Sequence, residues 1–180
     1  MDQKSLSRIL WMEALRGGLV IGVALFLWHL IAYLAKLDLN NSGLVSVVQF
    51  LILAGSIFYF GRRQQELRGA KAGFSYGQSI GFILALMLCT GFMFGLGQFF
   101  LQAVIDPQYY ADLTEATLID SNMDDQLVEL AINTMASPIM RNPLVYIFSG
   151  IFTMLIYGGL IGLIVSAFLK RPADPFADTD

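Results

Sequence analysis

The run AGFSYGQSIGFILALMLCTGFMFGLGQFFLQAVI fills residues 72–105, and its 34 residues include no Asp, Glu, Lys or Arg. Its length decides how often the chain crosses a bilayer. A hydrocarbon core of about 30 Å takes about 20 residues of α-helix. The run exceeds one crossing but is too short for two crossings and a turn. Residues 72–105 therefore read as a lead-in followed by one helix, over about 78–102. Backbone N–H and C=O groups find no water inside lipid, so the crossing must satisfy them internally, as a helix does.

Three more uncharged runs cover residues 17–35, 39–61 and 142–169, with 19, 23 and 28 residues. Each is long enough to span once. The expected spans are about 12–35, 43–61, 78–102 and 144–169. The chain of 180 residues is 56% hydrophobic and 14% charged, against about 25% charged in soluble domains. The fold class read from this is an all-α integral membrane protein. It forms one domain over 1–180, a four-transmembrane-helix bundle with a short tail at 170–180. The first run is too long for a cleaved signal sequence and lacks an A-x-A end, so it reads as a retained helix. A single cysteine, Cys89, excludes an intrachain disulfide framework, and a single histidine, His29, removes most zinc and haem constellations. His29 reads as an interfacial residue near Tyr33.

Lys and Arg bias orients such a bundle. Lys4, Arg8, Arg16, Arg62, Arg63, Arg68, Lys71, Lys170 and Arg171 fall on one side; Lys36 and Arg141 fall on the other. Both termini are expected in the cytoplasm, with Arg62 to Lys71 in a cytoplasmic loop that supplies the topology signal. The segment 106–141 then faces outward. It carries Asp106, Asp112, Glu115, Asp120, Asp124, Asp125 and Glu129. Pro107 suits the first turn of a helix capped by Asp106. A second short helix is expected over 124–135, capped by Ser121 or Asn122. Pro138 and Pro143 end it and lead into the last span. Asp120-x-Asn122-x-Asp124 begins like a calcium loop, but Asp125 stands where Gly belongs and Ala131 where Glu belongs.

Small residues recur every fourth position: Ala14, Gly18 and Gly22; Gly77, Gly81 and Ala85, then Gly91 and Gly95; Gly158, Gly162 and Ser166. Such stripes let helix backbones approach where lipid gives no hydrophobic drive between helices. The polar residues inside the spans are His29, Gln49, Thr90, Gln98 and Gln102, and Gln49 and Gln98 suit hydrogen bonds between helices. No charged side chain lies deep in a span, which argues against a proton-driven pump. Glu13 and Arg16 (i, i+3) read as a surface pair at the headgroup level, near the interfacial Trp11. There is no P-loop, H-E-x-x-H or G-x-S-x-G, so no catalytic residue, cofactor or metal ligand is assigned.

The pieces WMEALRGGLVIG, FSYGQSIGFILAL, AVIDPQYY, MASPIMRNPLVYIFSGIF and GLIVSAFLKRPADPF recur here in an order and spacing that resemble the bacterial domain-of-unknown-function family forty-one ninety-nine. The resemblance covers nearly the whole chain. It implies a four-helix protein of the bacterial inner membrane and supplies no activity. It also implies a setting near lipid-linked sugars, since members of such families are often encoded beside a polyprenyl-phosphate-sugar type glycosyltransferase. The expected role is a non-enzymatic accessory or scaffold protein with an outer cap. Its expected partners are membrane lipids, an envelope protein or a second copy, and no nucleic acid. The alternative is handling of a lipid or small solute in a groove lined by Gln49, Gln98 and Gln102. A membrane enzyme using the outer carboxylates is the weakest reading. The candidate mouth of the bundle comprises Asp106, Tyr109, Tyr110 and Ser137.

Overall fold

A computed structural model of the chain describes residues 3–37, 42–108, 112–113, 115, 118, 124–135, 137 and 142–173. Four long helices dominate: α1 (Gln3–Leu34), α2 (Ser42–Ala72), α3 (Tyr76–Phe99) and α5 (Pro143–Leu169). A shorter helix, α4 (Asp125–Met135), lies between the last two. The stretches Leu6–Leu34, Ser42–Gly69, Tyr76–Ile105 and Pro143–Leu169 are long and apolar enough to cross a membrane. Residues 72–105 make one crossing, as their length requires. The protein is an all-α four-helix bundle.

Local chemistry sets the ends. Ser75 accepts a hydrogen bond from the Gln78 backbone N–H, while the Gln78 side chain accepts one from the Ser75 N–H. This reciprocal cap, worth about 1 kcal/mol, starts α3 two residues before the expected position. Asn142 caps α5, and Pro143 takes the first turn, where a missing N–H is harmless. Lys36 adopts the left-handed region (φ 51°) and stops α1. At the start of α4 the Asp124 carboxylate accepts from the Gln126 N–H at 3.1 Å; the expected caps, Ser121 and Asn122, lie outside the described residues.

The basic stretch after the second span is a helix and not the expected loop. α2 runs through Arg62, Arg63 and Arg68 to Ala72, broken only by Gly69 (φ 75°, ψ 165°). The chain reverses at Gly73 (φ 63°), where a Cβ would lie 2.7 Å from the Ala173 nitrogen. There Phe74 and Arg171 exchange backbone hydrogen bonds of 2.8 and 2.9 Å, pinning the end of α5 beneath the α2–α3 turn.

Packing follows the small residues. α3 is the most buried span and packs most extensively on α5, then on α1. α3 and α5 are antiparallel. A Cβ on Gly91 would lie 2.6 Å from Ile151 Cα, one on Gly95 2.7 Å from Ile147 Cα, and one on Gly150 2.7 Å from Gly95 Cα. Further along the same seam Gly158 receives Met87 and Gly162 receives Ile83. α1 runs parallel to α3, with Gly18 against Cys89 and Gly22 against Met93. Gly77 and Gly81 depart from the expected stripe; nothing would meet a Cβ at either one within 4 Å. α2 is the least buried span, packing on α1 and α5 and barely on α3. The core holds Ile21, Leu25, Leu53, Ile57, Phe82 and Met154.

Candidate functional site

The seam between α1 and α2 is built differently. Ala14, Gly17 and Gly18 turn toward α3 and Phe60, so Glu13, one turn before Gly17, is drawn inward as well. Its carboxylate is buried and meets Arg63 Nε of α2 at 2.8 Å. Arg16 of its own helix lies at 3.8 Å. The pair is therefore not the surface contact expected from i, i+3 spacing; its main partner is on another helix. The i, i+4 step from Glu13 to Gly17 carried that signal in the sequence, because it places the carboxylate on the packed face. Beside the ion pair a crevice of about 540 Å³ opens between the helices, lined by Glu13, Arg16, Leu19, Val20, Tyr59, Phe60 and Arg63. The guanidinium side chains remain accessible there, 71% exposed for Arg16 and 43% for Arg63. Arg62, one residue along, points elsewhere and pairs with Glu66 at 3.2 Å.

The crevice has a definite depth. The 19 uncharged residues 17–35 rise about 28 Å as a helix, which is close to the full hydrocarbon thickness. Glu13 and Arg16 therefore stand just outside it, at one headgroup layer. Arg63 is held at the same height by its ion pair. Leu19, Val20 and Phe60 continue the crevice into the apolar layer.

At the other end of the bundle, α3 finishes in a π-helical turn, Phe100–Ile105. The extra residue per turn is closed by the Asp106 N–H bonding the Leu101 carbonyl at 3.2 Å. The Tyr33 hydroxyl of α1 donates to the Asp106 carboxylate at 3.1 Å. Asp106 thus joins two spans, a partnership its sequence neighbourhood did not reveal. Pro107 and Gln108 are helical. Tyr109 and Tyr110 lie outside the described residues. Ser137 is half-buried in a bend, its N–H bonded to the Thr134 carbonyl.

The amides do not meet as expected. The Gln102 side-chain amide donates to Gln98 Oε1 at 2.6 Å, along one helix instead of between helices. Gln49 is half-buried on α2, the helix that scarcely touches α3. His29 Nδ1 bonds the Leu25 carbonyl at 2.9 Å, and the ring meets Phe94 of α3 edge-on at 5.3 Å. A second polar layer lies at the crevice end. Gln64, Ser79 and Ser166 are completely buried. The pairing of Ile83 with Gly162 and Met87 with Gly158 places Ser79 opposite Ser166. Among the described residues no group of three His, Cys, Asp or Glu side chains is placed to hold a metal ion.

Four apolar crossings around a glycine-packed seam, with ionic side chains confined to the span ends, define a multi-pass helical membrane protein. The chain belongs to the family described as "Protein of unknown function (DUF4199)", whose model matches residues 16–171. No curated protein and no solved structure matches the chain.

Proposed function

We propose that this is a non-enzymatic accessory protein of the bacterial inner membrane, which offers a partner a rigid bundle with an outer docking helix. The observation that carries the reading is α4. It is the most amphipathic of the five helices α1 to α5. Leu127 and Leu130, among its described side chains, nevertheless remain 51% and 63% exposed. Asp124 and Glu129 flank these leucines with exposed acid. An apolar stripe rimmed by charge is the usual form of a helix that docks on another protein. The orientation rests on the nine cationic residues gathered at the crevice end against two at the other. It puts both termini in the cytoplasm and α4 outside.

A photo-crosslinking residue at Leu130 in living cells is expected to trap one discrete protein adduct. The same probe at Glu129, on the flanking face, is expected to trap far less. Equal labelling from both positions, or lipid adducts alone, would remove the docking role. An adduct of twice the chain mass would identify the partner as a second copy. Reporter fusions at both termini are expected to read cytoplasmic; a periplasmic C-terminus overturns the orientation.

A further inference from the structure

We infer that the crevice between α1 and α2 is a binding site for one anionic phospholipid, whose phosphodiester headgroup is held by Arg16 and Arg63 and whose acyl chain lies along Leu19, Val20 and Phe60. This inference does not depend on the docking role of α4, which concerns the other end of the bundle.

Depth comes first. Arg16 and Arg63 stand at the end of an uncharged stretch that already matches the hydrocarbon thickness, so they occupy the layer where lipid phosphates reside. Shape comes second. The crevice, about 540 Å³, is polar at this end and apolar below it. That gradient matches a lipid, with a charged head and a hydrocarbon tail, and does not match a soluble anion.

Charge comes third. Two guanidinium groups face one carboxylate, Glu13, which leaves one formal positive charge at the mouth. A lipid carrying one negative charge neutralises it. A zwitterionic choline headgroup would instead bring a second cation against Arg16. Guanidinium is also the side chain that best fits phosphate oxygens, through paired N–H donors in one plane.

Positioning comes last. Glu13 bonds Arg63 through Nε, fixing the side chain that would otherwise sweep the headgroup layer. Gly17 allows Phe60 to lie against α1, since a Cβ there would come within 3.0 Å of the ring. Phe60 is thereby set as the crevice wall. Tyr59, one turn before Arg63, lines the same mouth with a ring suited to the membrane interface. Arg62 shares the sequence neighbourhood but is engaged with Glu66 on the outer face of α2, and so provides an internal control.

The test is native mass spectrometry of the full chain released from detergent, titrated with dioleoylphosphatidylglycerol or dioleoylphosphatidylcholine. One phosphatidylglycerol is expected to stay bound in preference to phosphatidylcholine. Arg16→Gln is expected to weaken that binding about tenfold, the equivalent of one charge-assisted hydrogen bond. Arg62→Gln should leave it unchanged. Arg16 is largely solvent-facing, so its replacement leaves the fold intact even where an Arg63 variant does not accumulate. Equal retention of the two lipids, or equal losses in the Arg16 and Arg62 variants, overturns the site. Inorganic phosphate at millimolar concentration is the remaining arm. If it displaces the lipid and alone raises the melting temperature, the site belongs to a soluble anion and the lipid assignment fails.

Discussion

The α3–α5 seam and the α1–α2 seam both join antiparallel helices, yet only the second leaves room for a ligand. In the first, Gly91, Gly95 and Gly150 bring backbone onto backbone, and at these three positions no space remains for a side chain. In the second, contact passes through long side chains: Glu13 to Arg63 at one end, and the Trp28 indole N–H to the Val45 carbonyl, 3.2 Å, at the other. Helices held apart by side chains leave gaps wherever a side chain turns aside. A bundle that needs both rigidity and a site can therefore divide the two between its seams. The buried α3 supplies the rigid half and the peripheral α2 the open half.

The sharpest way to break this contrast is to fill the closed seam. A Cβ on Gly150 would lie 2.7 Å from Gly91 O, Gly95 Cα and Gly95 N, all of them backbone atoms that cannot rotate away. Gly150→Leu is expected to lower stability by about 3 kcal/mol or more, the upper range for overpacking. Thermal unfolding in mild detergent, followed by gel filtration, would show it as a large drop in melting temperature. A variant that melts with the parent would mean that the seam is not close-packed.

The same substitution at two sites of α3 refines the comparison. Gly95→Ala would set a methyl 2.5 Å from Tyr146 O and 2.7 Å from Ile147 Cα. A loss of about 1–3 kcal/mol is expected. Gly81→Ala meets nothing within 4 Å and replaces a poor helix former with the best one. It is expected to stabilise by up to about 1 kcal/mol. Opposite signs from one substitution on one helix would separate packing glycines from idle ones. Equal signs would show that spacing alone, and not contact, controls these positions.

That pair also marks the limit of what periodicity reveals. The four crossings were legible because length and lack of charge are properties of a segment by itself. So were the small-residue stripes, since any helix shows its own spacing. Which stripe meets a partner depends on how helices are arranged around each other, and nothing in α3 alone separates Gly81 from Gly95. Gly150 has no small residue four positions before or after it in α5, and so belonged to no visible stripe. The extension of α2 through Arg62, Arg63 and Arg68 was missed for a related reason. Positive charge reports which side of a membrane a segment occupies, and it is silent on whether that segment is helix or loop. Glu13 shows the converse. Its i, i+3 neighbour Arg16 suggested a local pair, while the stronger contact came from Arg63, fifty residues away in sequence and adjacent only once α1 and α2 are antiparallel.

The smallest expected effect concerns the outer end of the bundle, where one residue has two candidate duties. Capping by Asp106 of the helix beginning at Pro107 is local and follows from sequence; acceptance of the Tyr33 hydroxyl is long-range and follows from the fold. Asp106→Ala removes both, and the cap alone would account for about 0.5–2 kcal/mol. Tyr33→Phe removes only the second and keeps the ring in place. A double-mutant cycle in detergent melts resolves the two contributions. If Asp106 ties α1 to the π-helical end of α3, Tyr33→Phe lowers the melting temperature slightly in the parent and not at all in the Asp106→Ala background. If it serves only as a cap, Tyr33→Phe is silent in both backgrounds. The first result would make the outer mouth a second side-chain-mediated junction, of the same kind as the α1–α2 seam. The second would leave side-chain-mediated joining to the α1–α2 seam, where Glu13 meets Arg63 and Trp28 meets the Val45 carbonyl.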